Sequence, residues 1–232
     1  MVKNSKIILC CLICIVLATS TSAQLVAKTD DIPLGSLPEV LEVGDKVFSD
    51  FVLNPYSEGI EPNFNKMYVQ GVQDTTTGDY GLRFNGFLWS VGSGQTIAVD
   101  LSFKVSILPD PNYKDYRIED VWLYLTGVGA AGTGRVTVGE NVWDDFPGTQ
   151  VAYLYCTYDA NGVYLKDHAE FAPLKEIYIQ TKYIVVEGGP SGSAHFSEFF
   201  QFYSQSQVPE PATLVLLGTA GIWIFTRKKR SA

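Results

Sequence analysis

The feature that most constrains this chain is the stretch 95–108, QTIAVDLSFKVSIL, in which Ile97, Val99, Leu101, Phe103, Val105 and Ile107 occupy every second position. Successive strand residues point to opposite faces, so six consecutive matches to a period of two put one apolar face on a core and the other toward solvent. A helix would scatter the same residues around its axis. Shorter runs of this kind recur at 46–53, 66–72, 81–91, 117–126, 135–140, 150–158, 162–165, 176–186 and 194–203, with turn residues between them. The glycines at 127, 129, 132 and 134 mark a flexible turn. Asp159-Ala160-Asn161-Gly162 carries the Asn-Gly pair of a tight hairpin. No window in the middle of the chain has the Ala, Leu, Glu, Lys and Gln content that long helices want.

These runs predict nine or ten strands in an all-β fold. An antiparallel β-sandwich of jelly-roll type is the architecture that fits, and the absence of a repeat of ~40 residues argues against a propeller. Residues 43–204 form this expected domain, preceded by a Pro- and Asp-bearing lead-in at 24–42 that is expected to be irregular. Trp89 and Trp122 lie in strand patterns and are expected in the core.

The two ends follow different rules. Lys3 and Lys6 precede an uncharged apolar run at 7–18, and Thr21-Ser22-Ala23 supplies small residues before Gln24. This is the pattern of a secretory signal helix at 1–23, cleaved between Ala23 and Gln24, and its apolar run is too short for a permanent span. Cys10, Cys11 and Cys14 lie inside it, so Cys156 alone remains and no intramolecular disulfide framework is available.

At the other end, Val208-Pro209-Glu210-Pro211 cannot continue a strand or a helix interior and is expected to be extended and accessible. Residues 212–226, ATLVLLGTAGIWIFT, carry no charge and are expected to form a single transmembrane helix, followed at once by Arg227, Lys228, Lys229 and Arg230. The basic end orients such a span with its terminus in the cytoplasm and the folded body outside. At ~1.5 Å per residue the span covers only about 22 Å, thinner than a hydrocarbon core of ~30 Å, which suits temporary anchoring.

Motif, span and basic cluster together, with a signal peptide at the other end, resemble the PEP-CTERM sorting signal of Gram-negative-type bacteria. The resemblance covers residues 208–232, within an expected tail at 205–232. It implies recognition by an exosortase, a membrane protease of transpeptidase-like chemistry acting at or near Pro209-Glu210-Pro211, and an association with exopolysaccharide and biofilm. The stretch Gly44-Asp45-Lys46-Val47-Phe48-Ser49-Asp50-Phe51 and the later Gly81-Leu82-Arg83-Phe84 also resemble the bodies of PEP-CTERM proteins, a likeness that implies no activity.

Trimming both ends changes the electrostatics. Residues 24–207 keep 11 Lys and Arg against 24 Asp and Glu, a net charge of −13 where the whole chain has −8. A body this acidic repels nucleic acid and anionic lipid, so neither is an expected partner of the mature domain.

No catalytic constellation stands out. His168 and His195 are the only histidines; Cys156 sits in an apolar strand pattern, where a buried thiol behaves as an inert small hydrophobe. Ser191-Gly192-Ser193 lacks the strand-to-helix setting of a nucleophile elbow. Glu119 and Asp120 are adjacent on a strand and face opposite ways. Calcium is the one cofactor worth weighing, at Asp159–Gly162 or around Glu140, Asp144 and Asp145, but neither group reaches the six to eight oxygens the ion wants, and a plain turn is the preferred reading of the first. Trp143, in the polar stretch Asn141-Val142-Trp143-Asp144-Asp145, is the candidate for an exposed sugar platform. The expectation is therefore an exported, non-catalytic surface or matrix protein. It is anchored in the inner membrane before exosortase processing and contacts extracellular polysaccharide. A polysaccharide hydrolase and a calcium-dependent carbohydrate-binding module are the alternatives.

Overall fold

Alternation along the strands builds two antiparallel sheets that face each other. The computed structural model of the protein describes residues 24–86 and 89–208. The expected signal helix with Ala23, the span at 212–226, Pro209, Glu210, Pro211, Arg227, Lys228, Lys229 and Arg230 lie outside the described residues. Among those described, no helix is long and apolar enough to cross a membrane.

The first sheet holds β1 (Leu25–Ala27), β2 (Ile32–Pro33), β5 (Met67–Asp74), β6 (Tyr80–Gly86), β9 (Tyr116–Thr126), β14 (Lys166–Leu174), β17 (Glu198–Tyr203) and β18 (Gln205–Gln207). Its order is β1-β5-β6-β17-β9-β14, with β2 continuing β1 along β5 and β18 continuing β17 along β9. The second sheet holds β3 (Val40–Val43), β4 (Lys46–Glu58), β8 (Thr96–Ile107), β11 (Arg135–Trp143), β12 (Gln150–Asp159), β13 (Gly162–Tyr164) and β15 (Glu176–Glu187), in the order β13-β12-β11-β15-β8-β4-β3. A small third sheet, β10 (Gly129–Ala131), β16 (Ser193–His195) and β7 (Ser90–Val91), closes one end.

The core lies between the two large sheets. Ile97, Val99, Leu101, Phe103 and Val105 of β8 are all buried on the face that the alternation assigns them. Phe103 meets Phe84 across the sheets with ring centroids 6.4 Å apart, and Phe48 meets Tyr203 at 5.7 Å. The Cys156 thiol on β12 points at the Leu123 carbonyl of β9, 3.7 Å away.

Three expectations are corrected. The lead-in at 24–42 is not irregular: β1 and β2 pair with β5, and β3 pairs with β4. Each is short and at a sheet edge, where Pro33 and the charged residues between strands are tolerated, so no alternation announces them. The stretch around His168, absent from the expected strands, is strand β14 along β9. It too is an edge strand, its register breaking between Glu170 and Leu174 around Pro173. Finally, residues 205–207 belong to the sheet, not to a tail: Gln205, Ser206 and Gln207 pair with Ile118, Arg117 and Tyr116.

Candidate functional site

The second face of the first sheet, away from the main core, carries a small buried cluster of its own: Val72, Phe200 and Phe202, with Trp122 and Tyr124 half-buried against it. Its register sets side chains in rows across five strands. Gln70, Arg83, Phe200, Tyr124 and Lys166 form one row; Val72, Gly81, Phe202, Trp122 and His168 form the next. Phe200 and Phe202 stack with centroids 6.1 Å apart and planes 7° from parallel, and Trp122 stacks on His168 at 3.7 Å. Lys166 lies 4.3 Å from the Trp122 ring centroid, and Tyr124 packs beside it. Trp122 is therefore half-buried on the outer face and not in the core as expected. The strand alternates apolar residues on both sides, and Val121, Leu123 and Leu125 take the core. His168 Nε2 sits 3.2 Å from Asp120 Oδ2 at the end of this strip, without hydrogen-bond alignment.

Where the strip meets the third sheet there is a cavity of about 550 Å³, within the ~300–1,000 Å³ range of small-molecule sites. Its floor is the next row of the outer face: Tyr68 of β5, Asn85 of β6 and Glu198 of β17, with Arg83 beside them. Asp31, from the bulge between β1 and β2, forms one wall; Trp89, Ser90, His195 and Phe196 form the other. Arg83 Nε donates to Glu198 Oε2 at 2.5 Å, and its Nη1 donates to Gln70 Oε1 at 3.3 Å. Asn85 Nδ2 donates to Asp31 Oδ1 at 3.5 Å. Trp89 is 1% exposed and stacks on Phe196 at 4.9 Å, yet its indole N–H has no hydrogen-bond partner. A buried polar group without a partner is rare.

Trp143 is not a free platform. It ends β11, half-buried, with Phe146 edge-on at 6.0 Å; Phe146, 54% exposed, is the aromatic that faces solvent there. The acids weighed for calcium do not converge. Glu140 is in the core, Asp144 Oδ1 accepts from the Thr149 N–H at 2.6 Å, and Asp145 Oδ1 accepts from the Phe146 N–H at 2.7 Å. Asp159 Oδ1 caps its own hairpin, accepting from the Asn161 and Gly162 N–H groups at 2.6 and 3.0 Å. Among the described residues no group of three or more His, Cys, Asp or Glu could hold a metal ion. Gln24 starts the described chain, its carbonyl accepting from Thr75, and Val208 ends it, its N–H donating to the Asp115 carbonyl at 2.8 Å.

Asp31, Arg83, Asn85 and Glu198 were not singled out from the sequence. Arg83, Asn85 and Glu198 are the polar positions of strands whose other face is buried, and Asp31 lies in the link between β1 and β2, so none of them stands out from its surroundings. A usable signal was the stretch 198–203, EFFQFY, which does not alternate: Phe200 and Phe202 had to lie on a face opposite the core.

No family model matches the chain, and no curated protein sequence matches it. Among solved structures, the enzymatically active domain of bacteriophage CBA120 tailspike protein 4 is similar over 66% of this chain, at 12% identity and a TM-score of 0.26. The chain spans 19% of that structure's length. A likeness this slight carries no argument about activity.

Proposed function

We propose that this chain is an exported surface or matrix protein, sorted at its C-terminus by an exosortase, whose jelly-roll body binds extracellular polysaccharide without cleaving it. The topology is read from two facing sets of four: β6-β17-β9-β14 and β8-β15-β11-β12. The chain crosses from one set to the other at nearly every connection, as a jelly roll does. The observation that carries the binding function is the cavity beside the aromatic strip. Its floor of hydrogen-bonding side chains stands on the sheet, with the stacked Trp89 and Phe196 rings in its wall. Sugars are recognised by such mixtures of planar polar groups and ring surfaces. Sorting rests on the motif Val208-Pro209-Glu210-Pro211 with its span and basic end.

Two measurements test this. Mass spectrometry of the surface form, with and without the exosortase, is expected to find a C-terminus at or near Glu210; an intact Arg230 in that form would refute sorting. Pull-down on native exopolysaccharide is expected to retain the wild-type chain and to lose it on Asn85→Ala or Tyr68→Ala.

A polysaccharide hydrolase is the second reading, favoured by two carboxylates, Asp31 and Glu198, lining one cavity. Release of reducing ends from the same exopolysaccharide, abolished by Glu198→Gln, would replace the first reading with it.

A further inference from the structure

The charges of the cavity are arranged against an anionic ligand. Three of its lining side chains are fixed charges: Asp31, Arg83 and Glu198. The single cation is already engaged, its Nε on Glu198 at 2.5 Å and its Nη1 on Gln70 at 3.3 Å. The Glu198 carboxylate at its Nε offsets the charge that would otherwise draw in a sugar carboxylate, and two of its five N–H donors are already engaged. The carboxylate of Asp31 is left in excess, on a body whose net charge is −13 over residues 24–207. Tyr68, Asn85, Ser90, His195 and Ser197 are the remaining polar side chains of the lining, and all of them can hydrogen-bond to hydroxyls.

Resting on the reading of this cavity as a saccharide site, we infer that its ligand is a neutral, hydroxyl-rich glycan and that polyuronates are excluded by charge. The glycan hydroxyls hydrogen-bond to Asp31, Asn85 and Tyr68, and Glu198 keeps Arg83 from recruiting carboxylates. Exclusion of the wrong partner by like charge is a device interfaces use widely.

The test is calorimetric titration of the full-length chain, held in a sugar-free detergent, with neutral cello- and manno-hexamers and with oligogalacturonate and oligoalginate of equal length. The expected result is saturable binding of a neutral hexamer, with the uronates weaker by about tenfold or more at low salt. Glu198→Gln, which leaves Arg83 its charge and removes the neutralising carboxylate, is expected to narrow that gap by strengthening uronate binding. Asp31→Asn is expected to narrow it independently, should the first variant fold poorly. Tighter binding of a uronate than of either neutral hexamer by the wild type would overturn this inference and leave the saccharide site standing. No heat from any of the four at millimolar concentration, with native exopolysaccharide also unbound, would overturn the saccharide site itself.

Discussion

Glu140 is fully buried between the sheets, where Gln201 Nε2 donates to its Oε2 and its Oε1 has no partner. Burial pushes its carboxyl up to about 8, the Gln201 bond opposing the shift. The folded state therefore holds a proton that the unfolded chain releases near pH 4.5, so stability is full below that value and falls as pH rises toward 8. Chemical denaturation across this window should show the decline in the wild type, on the order of a few kcal/mol, and a flatter profile in Glu140→Gln. An unchanged slope in the variant would show that Glu140 is not the group responsible. Cys156 behaves in parallel: burial, then the nearby Asp167 and Glu140, push its thiol up to about 12. Alkylation of the native protein at pH 8 should be slow and should become complete on unfolding. The inertness of Cys156 was legible from its strand pattern. The buried state of Glu140 was legible too but was not drawn: Val136, Val138, Glu140 and Val142 alternate onto one buried face of β11, with Glu140 opposite the buried Leu154.

At the level of elements, β18 is held by a buried ionic cluster. Lys46 Nζ donates to Asp45 Oδ1 at 2.9 Å and to Gln205 Oε1 at 2.8 Å, and Gln205 Nε2 donates to Asp45 Oδ2. Desolvation lowers the Lys46 pKa, and Asp45 works against that shift. Breaking one partner leaves the other charge buried and unpaired, so Lys46→Met should cost roughly 3–5 kcal/mol in thermal or denaturant unfolding. Gln205→Ala should act more locally, exposing 204–208 to proteolysis while the core transition barely moves. Gly81 is a second fixed point, since a Cβ there would lie 1.9 Å from the Gln201 carbonyl oxygen. Gly81→Val should push β6 from β17 and lower the melting temperature by several degrees or more. Long central strands were readable because both their faces obey the pattern. The edge strands were not: β1, β2 and β3, of two to four residues, are too short to show a period, and β14 is broken before Leu174.

Across the whole molecule, stability rests on one aromatic-rich core in which Phe103 touches Phe48, Phe51 and Phe84. Phe103→Ala should therefore destabilise the entire sandwich by about 3–5 kcal/mol in a single cooperative transition. The all-β class and the antiparallel arrangement could be read from residues 95–108 and the shorter runs alone. The cavity could not, because its walls come from segments more than a hundred residues apart and meet only through cross-sheet register. One arrangement described above bears on how such a body would carry load. β17 lies inside the first sheet, between β6 and β9, and β18 continues it along β9 into Val208. Tension applied through a tethered tail would pull along that strand's own axis. The bonds of β18 to β9, and then those of β17 to β6 and β9, would resist in shear rather than open singly. Tension at Leu25 would instead peel an edge strand one bond at a time. The described body is thus better placed to bear load at Val208 than at Leu25.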